Sequence, residues 1–398
     1  MLSIRDPVHG FIRADPFETA LVGSRPVQRL RAIRQLGLTN MVYPGAEHSR
    51  FAHALGAMEL AGRVYDALAA KGGGRLPEAP DALERRVVRA AALLHDIGHA
   101  PFSHSAEELF EHGIDHEEMT RRLLLGHPEI AEIFTALGEG VEVAQVARVL
   151  AGHGEGIDRL LAQVISSEID VDKMDYLLRD SLFCGVRYGS YDAERLLDTM
   201  LPLEDRETGD WRIGVDEGGV HALEALVLAR YYMFTQVYFN VTGKALELHL
   251  SRWLEQEGWR WPSDPEAFLE IDDVAVTFRM RGSDNFHARA VSSREHFPLV
   301  FETAEHLSRG DSAAFGELLP RLRERFGREN LLESHSAKDP HHFSQGNLLV
   351  STAEGATVTM ERASHFIRHL QRIDRYRIYA RPEIREEVTT TLRRWWPA

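Results

Sequence analysis

The segment AALLHDIGHAPFSH, residues 91–104, sets His95, Asp96, His99 and His104 among apolar and small neighbours. Imidazoles and carboxylates in apolar company are costly unless something satisfies them, and one divalent cation can satisfy several together. On a helix, His95 and His99 share a face, whereas Asp96 points about 100° away. Such a doublet at a helix end can hold an ion from two sides if other helices bring the remaining ligands. Two segments offer them. In EHSRFAHALG, His53 lies on the apolar-periodic stretch 48–70, and in SSEIDVDKMDYLLRD, Asp172, Tyr176 and Asp180 fall at four-residue steps among Ile, Val, Met and Leu. The chain has one cysteine, Cys184, so imidazole and carboxylate must do the binding. Structural roles compete with this reading: a lone buried His is usually a hydrogen-bonded core residue, and an Asp near a helix start is usually a cap. Each of about six buried polar groups would then need its own partner, which is the harder account.

The elements that must position these residues are mostly helical. Apolar residues recur at three- and four-residue steps over Val27–Leu36, Phe51–Leu68, Leu83–Leu94, Val141–Leu150 and Leu160–Leu178. Val220–Leu254 contains ALVLARYYMFTQVYF, apolar nearly all round, and reads as one long helix through the middle of the fold. From about 285 the pattern changes to a helix near 312–326, a His-rich loop 335–345, and strands in NLLVSTAEG and RYRIYARPEI around a helix 361–372. The expected fold is mainly α, with residues 1–284 as a helical domain and 285–398 as a small C-terminal α+β region. Adjacent histidines in the loop, with His335, His341 and His342, lack carboxylates at ligand spacing and read as solvated.

Composition bounds the function. A chain of 398 residues, 44% of them hydrophobic, can bury a large core in one or two domains. The single cysteine excludes an internal disulfide framework and fits a reducing compartment. The start, MLSIRDPVHGFIRADP, has no basic segment followed by an apolar one, and no apolar run reaches the ~18 residues of a membrane span. A cytoplasmic protein without a membrane partner is expected. With 46 basic against 61 acidic residues, the net charge of −15 argues against a broad basic face for duplex nucleic acid.

His53, His95-Asp96 and Asp172, in the contexts HSRFAHALG, LLHDIGHAPFSH and IDVDKMDYLLRD, resemble the HD superfamily of metal-dependent phosphohydrolases. More closely, they are similar to the deoxynucleoside triphosphate triphosphohydrolases of the SAM-and-HD-domain branch. The match runs from RDPVHGFI (5–12) through QRLRAIRQLG (28–37) to ARYYMFTQVYF (229–239), well over half the chain. The resemblance implies an HD-domain helical fold and four metal ligands, His53, His95, Asp96 and Asp172. It also implies release of a whole triphosphate from a deoxynucleoside. Such a mixed donor set accepts Mn, Fe, Mg, Zn or Ni.

By the same resemblance His116 is the catalytic histidine, with Glu117 beside it sustaining its proton for the leaving oxygen. Arg50, Lys173, Tyr176, Arg230 and His99 would face the phosphates, and Gln35, Leu36, Asp180 and Tyr238 the deoxyribose. His104 and Glu107 would hold ligands or His116 in place. A homo-oligomer and a nucleotide effector are expected partners. Relatives activated by nucleotides carry a lysine and an aspartate where this chain has Leu2 and Gly23, so the effector site should differ. Phe234 stands where a relative has histidine, and FNVTG at 239–243 lacks a basic residue common there, so base preference does not carry over. Two rival readings are the same chemistry on another phosphoester (a nucleoside monophosphate, a cyclic nucleotide or an end of single-stranded nucleic acid) and a non-catalytic nucleotide-sensing module.

Overall fold

The computed structural model describes residues 1–74, 76–79, 82–103, 108–154, 156–204, 211–339 and 348–396. The described residues divide into two units, the first falling within 1–233, 260–273 and 341–369 and the second within 234–259, 274–340 and 370–398. The helical reading of the first two thirds holds, with several small sheets added.

Four helices of the first unit carry the candidate site: α1 (Arg50–Lys71), α2 (Leu83–Leu94), α3 (His116–Gly126) and α4 (Val171–Cys184). α1 and α2 bury Ala54, Leu55, Met58, Leu60, Val64, Val87, Ala91 and Leu94, each large side chain contributing about 1.5–3 kcal/mol on burial. α1 meets α4 where Gly56 faces Asp175, leaving no room for a Cβ beside that carboxylate and the Arg179 guanidinium.

Chain entry is a hairpin, Leu2–Asp6 antiparallel to Gly10–Ala14. Its turn is set by Asp6, whose Oδ1 accepts from the backbone N–H of Val8 and His9, both at 2.9 Å. A four-stranded sheet follows the order Met200–Glu204, Trp211–Asp216, Leu349–Ser351, Thr357–Thr359. Its middle pair is parallel and the outer pairs antiparallel.

Four sequence-based helices are corrected. The stretch 27–36 is helical only to Arg29, followed by a 3-10 turn at Leu30–Ala32, and then Ile33 is extended and Arg34 bridges to Ser49. The stretch 160–178 is two helices, Ile157–Ile165 and α4, because Asp170 caps the second by accepting from Lys173 N and also takes Ser167 N–H. The long helix over 220–254 is likewise interrupted: Val220–Met233 runs into a π-helical turn, Phe234–Tyr238, and Asn240 caps a new helix, Val241–Gln256. The helix over 361–372 is two short pieces, Met360–Ala363 and His365–His369, before the strand Ile373–Ala380.

In the second unit that strand is the centre of an antiparallel sheet, between Leu299–Glu302 and Leu331–Lys338. Helices Arg309–Phe326 and Arg385–Trp395 cover it through Phe315, Leu318, Leu322, Ile378, Val388 and Leu392. His335 therefore sits on a strand and not in a loop, its ring stacked on Tyr376 and its Nε2 2.8 Å from Asp374. His341 and His342 lie outside the described residues.

A second buried imidazole pair, His249 and His287, joins Val241–Gln256 to Phe286–Ser292 at 2.8 Å between Nδ1 atoms. Burial first, then neighbouring positive groups, pulls His249 down to about 3 and His287 to about 4. A depressed folded-state pKa means that the neutral pair's stability is complete above the unfolded value near ~6.5 and is lost as pH falls toward 4. Going from pH 7 to pH 5 is expected to cost on the order of 2–4 kcal/mol. Urea unfolding across that range checks this, and His249→Gln, which cannot take a proton, should flatten the slope.

Candidate metal centre

α1 places His53, the end of α2 places His95 and Asp96, and the first turn of α4 places Asp172. The donor atoms of His53, His95 and Asp172 all lie within 4.8 Å of one another. His53 Nε2 is 3.0 Å from Asp172 Oδ1 and 3.3 Å from His95 Nε2. Asp96 lies alongside, Oδ1 3.3 Å from His95 Nε2 and Oδ2 3.8 Å from His53 Nε2. Its carboxylate also takes Arg50 Nη1 at 2.6 Å and faces His99 Nε2 at 3.2 Å. Burial opposes its charge, but Arg50, His95 and His99 hold it well below the usual carboxylate range.

The far nitrogens fix the near ones. His53 Nδ1 donates to Asp175 Oδ2 at 2.8 Å, and His95 Nδ1 donates to the Ala92 carbonyl at 2.7 Å. In the neutral rings both Nε2 lone pairs then face the same point, which suits a cation held between them. Burial disfavours a charge on His53, but hydrogen bonds to Asp172 and Asp175 win and push the imidazole up to about 10. Asp172 is held down by the same two histidines against its burial, and its side chain keeps 36% exposure, so the group opens toward solvent. The donor set of two imidazoles and one or two carboxylates fits a divalent metal and does not select which.

Behind His53 stands a buried network absent from the sequence reading. Asp175 accepts from His9 Nε2 at 2.6 Å and from Arg179 Nε at 2.8 Å, and Arg179 Nη1 donates to Asp6 at 2.8 Å. These groups hold the Asp175 carboxylate well below its ordinary range although burial opposes them. The only sequence signal was Asp175 one turn before Arg179 on a buried helix face, and the DPVHG turn that presents His9. Arg50 is aimed similarly by Ser103, whose Oγ accepts Arg50 Nε at 3.0 Å. Ser103 and Phe102 both have left-handed backbones, φ +56° and +57°, a strained pair steadied by Phe102 N donating to Asp273 at 2.9 Å.

The remaining residues are placed as follows. His116 opens α3 after its cap Asp115, and its ring stacks on His99 at 4.1 Å between centroids. Burial, then Arg50, keeps His99 well below its usual pKa and therefore neutral. Glu117 points to solvent. Gly98 lets α3 approach, since a Cβ there would strike the His116 carbonyl and the Thr120 amide. Thr120 Oγ1 accepts from Gly98 N and donates to the His95 carbonyl, fixing the turn between the two histidine segments. Gly98→Ala is expected to destabilise the fold by about 1–3 kcal/mol through this overpacking, measured by urea unfolding.

Lys173 Nζ is bound by Asp170 at 2.5 Å and the Ser167 carbonyl at 2.8 Å, turned into its own helix start. Arg230 lies 3.9 Å from Glu168 and is close enough to Tyr176 to oppose the rise that burial gives its phenol. Asp180 is held by His48 Nε2 at 2.7 Å, with Phe183 stacked on the His48 ring. Gln35 is buried and Leu36 half-buried beside the Arg34–Ser49 bridge. Tyr238 belongs to the second unit, at the end of the π-turn. His104 and Glu107 lie outside the described residues.

Residues 50–180 match the HD domain and 191–297 the HD associated region. The uncharacterised protein YwfO of Bacillus subtilis is 40% identical over 280 residues, 69% of this chain and 61% of its own length. A Dictyostelium discoideum protein named as a deoxynucleoside triphosphate triphosphohydrolase SAMHD1 homolog is 28% identical over 288 residues, 68% of this chain and 53% of its own. The chain thus spans little more than half the length of these curated relatives. A crystal structure of a hypothetical protein from Aquifex aeolicus superposes with a TM-score of 0.84 at 31% identity, covering 98% of this chain and 99% of that one.

Proposed function

Because the chain belongs to the HD-domain phosphohydrolase family, with the HD associated region following, we propose that it hydrolyses deoxynucleoside triphosphates to deoxynucleoside and inorganic triphosphate. The observation that carries this reading is the convergence of His53, His95 and Asp172 donor atoms within 4.8 Å, beside a buried arginine. The activity for which the Dictyostelium relative is named supports the substrate class.

In this reading His53, His95, Asp172 and Asp96 hold the cation. Such a cation would supply Lewis-acid chemistry to the phosphoryl group that these residues face. The chain's own residues do the rest. Arg50, fixed by Asp96 and Ser103, binds phosphate oxygens, Tyr176 and Arg230 add further donors, and Lys173 joins them by leaving its contacts with Asp170 and the Ser167 carbonyl. Neutral His99 stacks on His116 and orients it, so that His116 can pass a proton to the leaving oxygen, with Glu117 supporting its charge. Asp180, oriented by His48, accepts from the 3′-hydroxyl. Gln35 and Leu36 complete the sugar contacts of this unit. Mn, Fe, Mg, Zn and Ni remain equal candidates. A homo-oligomer, a nucleotide effector and a cytoplasmic location belong to the proposal. No described helix is long and apolar enough to cross a membrane.

The test incubates the purified chain with Mn or Mg and each dNTP, singly and in mixtures, and separates the products. Triphosphate plus deoxynucleoside is the expected result. Pyrophosphate plus monophosphate, or turnover confined to monophosphates, cyclic nucleotides or DNA ends, overturns it. Tight nucleotide binding without turnover in every mixture would leave a sensing module instead.

A further inference from the structure

Within the second unit a cleft of about 400 Å³ is lined by Arg252, Arg328, Gln256 and His287, together with Glu329. Leu331 and Leu332, both buried, supply its apolar wall. The chain's net charge is −15, yet positive groups gather here. Besides burial, Arg328 and Arg252 both oppose the charge of Arg323, and Arg252 and Arg381 both oppose a charge on His287. Arg252 has a partner in Glu255 at 3.3 Å and Arg323 one in Glu333. Among the described residues Arg328 has no ion pair.

A relay of hydrogen bonds adds a fixed donor. The Phe297 N–H donates to His249 Nε2 at 3.0 Å, so the proton of the neutral His249 ring is on Nδ1. That proton points at His287 Nδ1, 2.8 Å away, which must accept it. The neutral His287 ring therefore carries its own proton on Nε2. His287 is only 8% exposed and still lines the cleft together with Arg252 and Arg328. The lowered pKa values of both histidines agree with neutral rings.

We infer that this cleft binds a phosphate-bearing small molecule, with Arg252, Arg328 and the His287 Nε2–H as donors to its phosphoryl oxygens. Guanidinium forks pair naturally with phosphate oxygens, and a third donor from a separate direction suits a tetrahedral anion better than a planar carboxylate. The volume lies within the range of small-molecule sites, about 300–1,000 Å³. It exceeds the needs of a lone ion and leaves room for an organic body against Leu331 and Leu332. The inference concerns the second unit alone and does not rest on the hydrolytic reading of the metal centre.

The test titrates the full chain, kept metal-free in EDTA, with inorganic phosphate, tripolyphosphate and citrate by calorimetry. Arg252→Gln/Arg328→Gln is compared with Arg50→Gln, and thermal melting verifies that each variant is folded. Saturable phosphate or tripolyphosphate binding, weakened at least about tenfold by the double change and untouched by Arg50→Gln, is the expected result. The inference falls if the double variant binds as the parent does, if Arg50→Gln alone removes binding, if citrate binds as tightly as tripolyphosphate, or if neither phosphate probe saturates.

Discussion

If the proposed hydrolysis holds, Asp172→Ala is expected to abolish metal binding at the candidate centre and to cut turnover on the order of 10³-fold, the equivalent of ~4 kcal/mol of charge stabilisation from a bound cation. Asp172 is the one member of the converging trio with substantial exposure, 36% of its side chain, and it stands in the first turn of α4, where Asp170 provides the cap. Its loss should therefore leave the fold in place. Without it, His53 and His95 keep their two lone pairs, but the carboxylate left beside them, Asp96, is shared with Arg50 at 2.6 Å. Elemental analysis should show the metal content fall from about one per chain to near zero, while the melting temperature moves little. Full metal content and full rate in this variant would remove the basis of the catalytic reading.

Asp175→Asn should have the larger effect on stability. The carboxylate is wholly buried, and His9, His53 and Arg179 all bind it. Neutralising it leaves the Arg179 guanidinium with only Asp6, and breaking a buried ion network by removing one partner costs about 3–5 kcal/mol. It should also loosen His53 and weaken metal affinity by about 10- to 100-fold, the usual consequence of losing the group that orients a ligating imidazole. The sign of its pH dependence follows from the depressed pKa of Asp175. Its contribution is present above the unfolded value near ~3.9 and is lost as pH falls through the lower folded value. The gap between parent and variant in urea unfolding should therefore be wide at pH 7 and close only in strong acid. A variant of parental stability at pH 7 would show that Asp175 is not a support.

Sequence periodicity located α1, α2 and the buried face of α4 because each presents a long apolar stripe. It missed the break between residues 165 and 171, where Asp170 offers the backbone a better arrangement than a continuing helix. It missed the π-turn at Phe234–Tyr238 because an all-round apolar stretch carries no phase. The convergence of His53, His95 and Asp172 was legible because imidazoles and carboxylates in apolar surroundings need an explanation. Its supports were not: His9 and Asp175 are 166 positions apart, and nothing in either neighbourhood announces the other. Ser103 and Asp273 were hidden for a related reason, since a hydroxyl and a carboxylate beside a bend are ordinary until the left-handed backbone there is seen. The second unit draws on three separated stretches, which no reading of local pattern could assemble.

The opening hairpin bears on handling of the protein. Its turn delivers the imidazole that braces the carboxylate behind a candidate ligand, so the hairpin is a structural part of the candidate metal centre. A substitution or cleavage within residues 2–14 is expected to loosen that centre even where every motif residue is intact. Preparations that look inert should be checked in this hairpin before the motif residues are blamed.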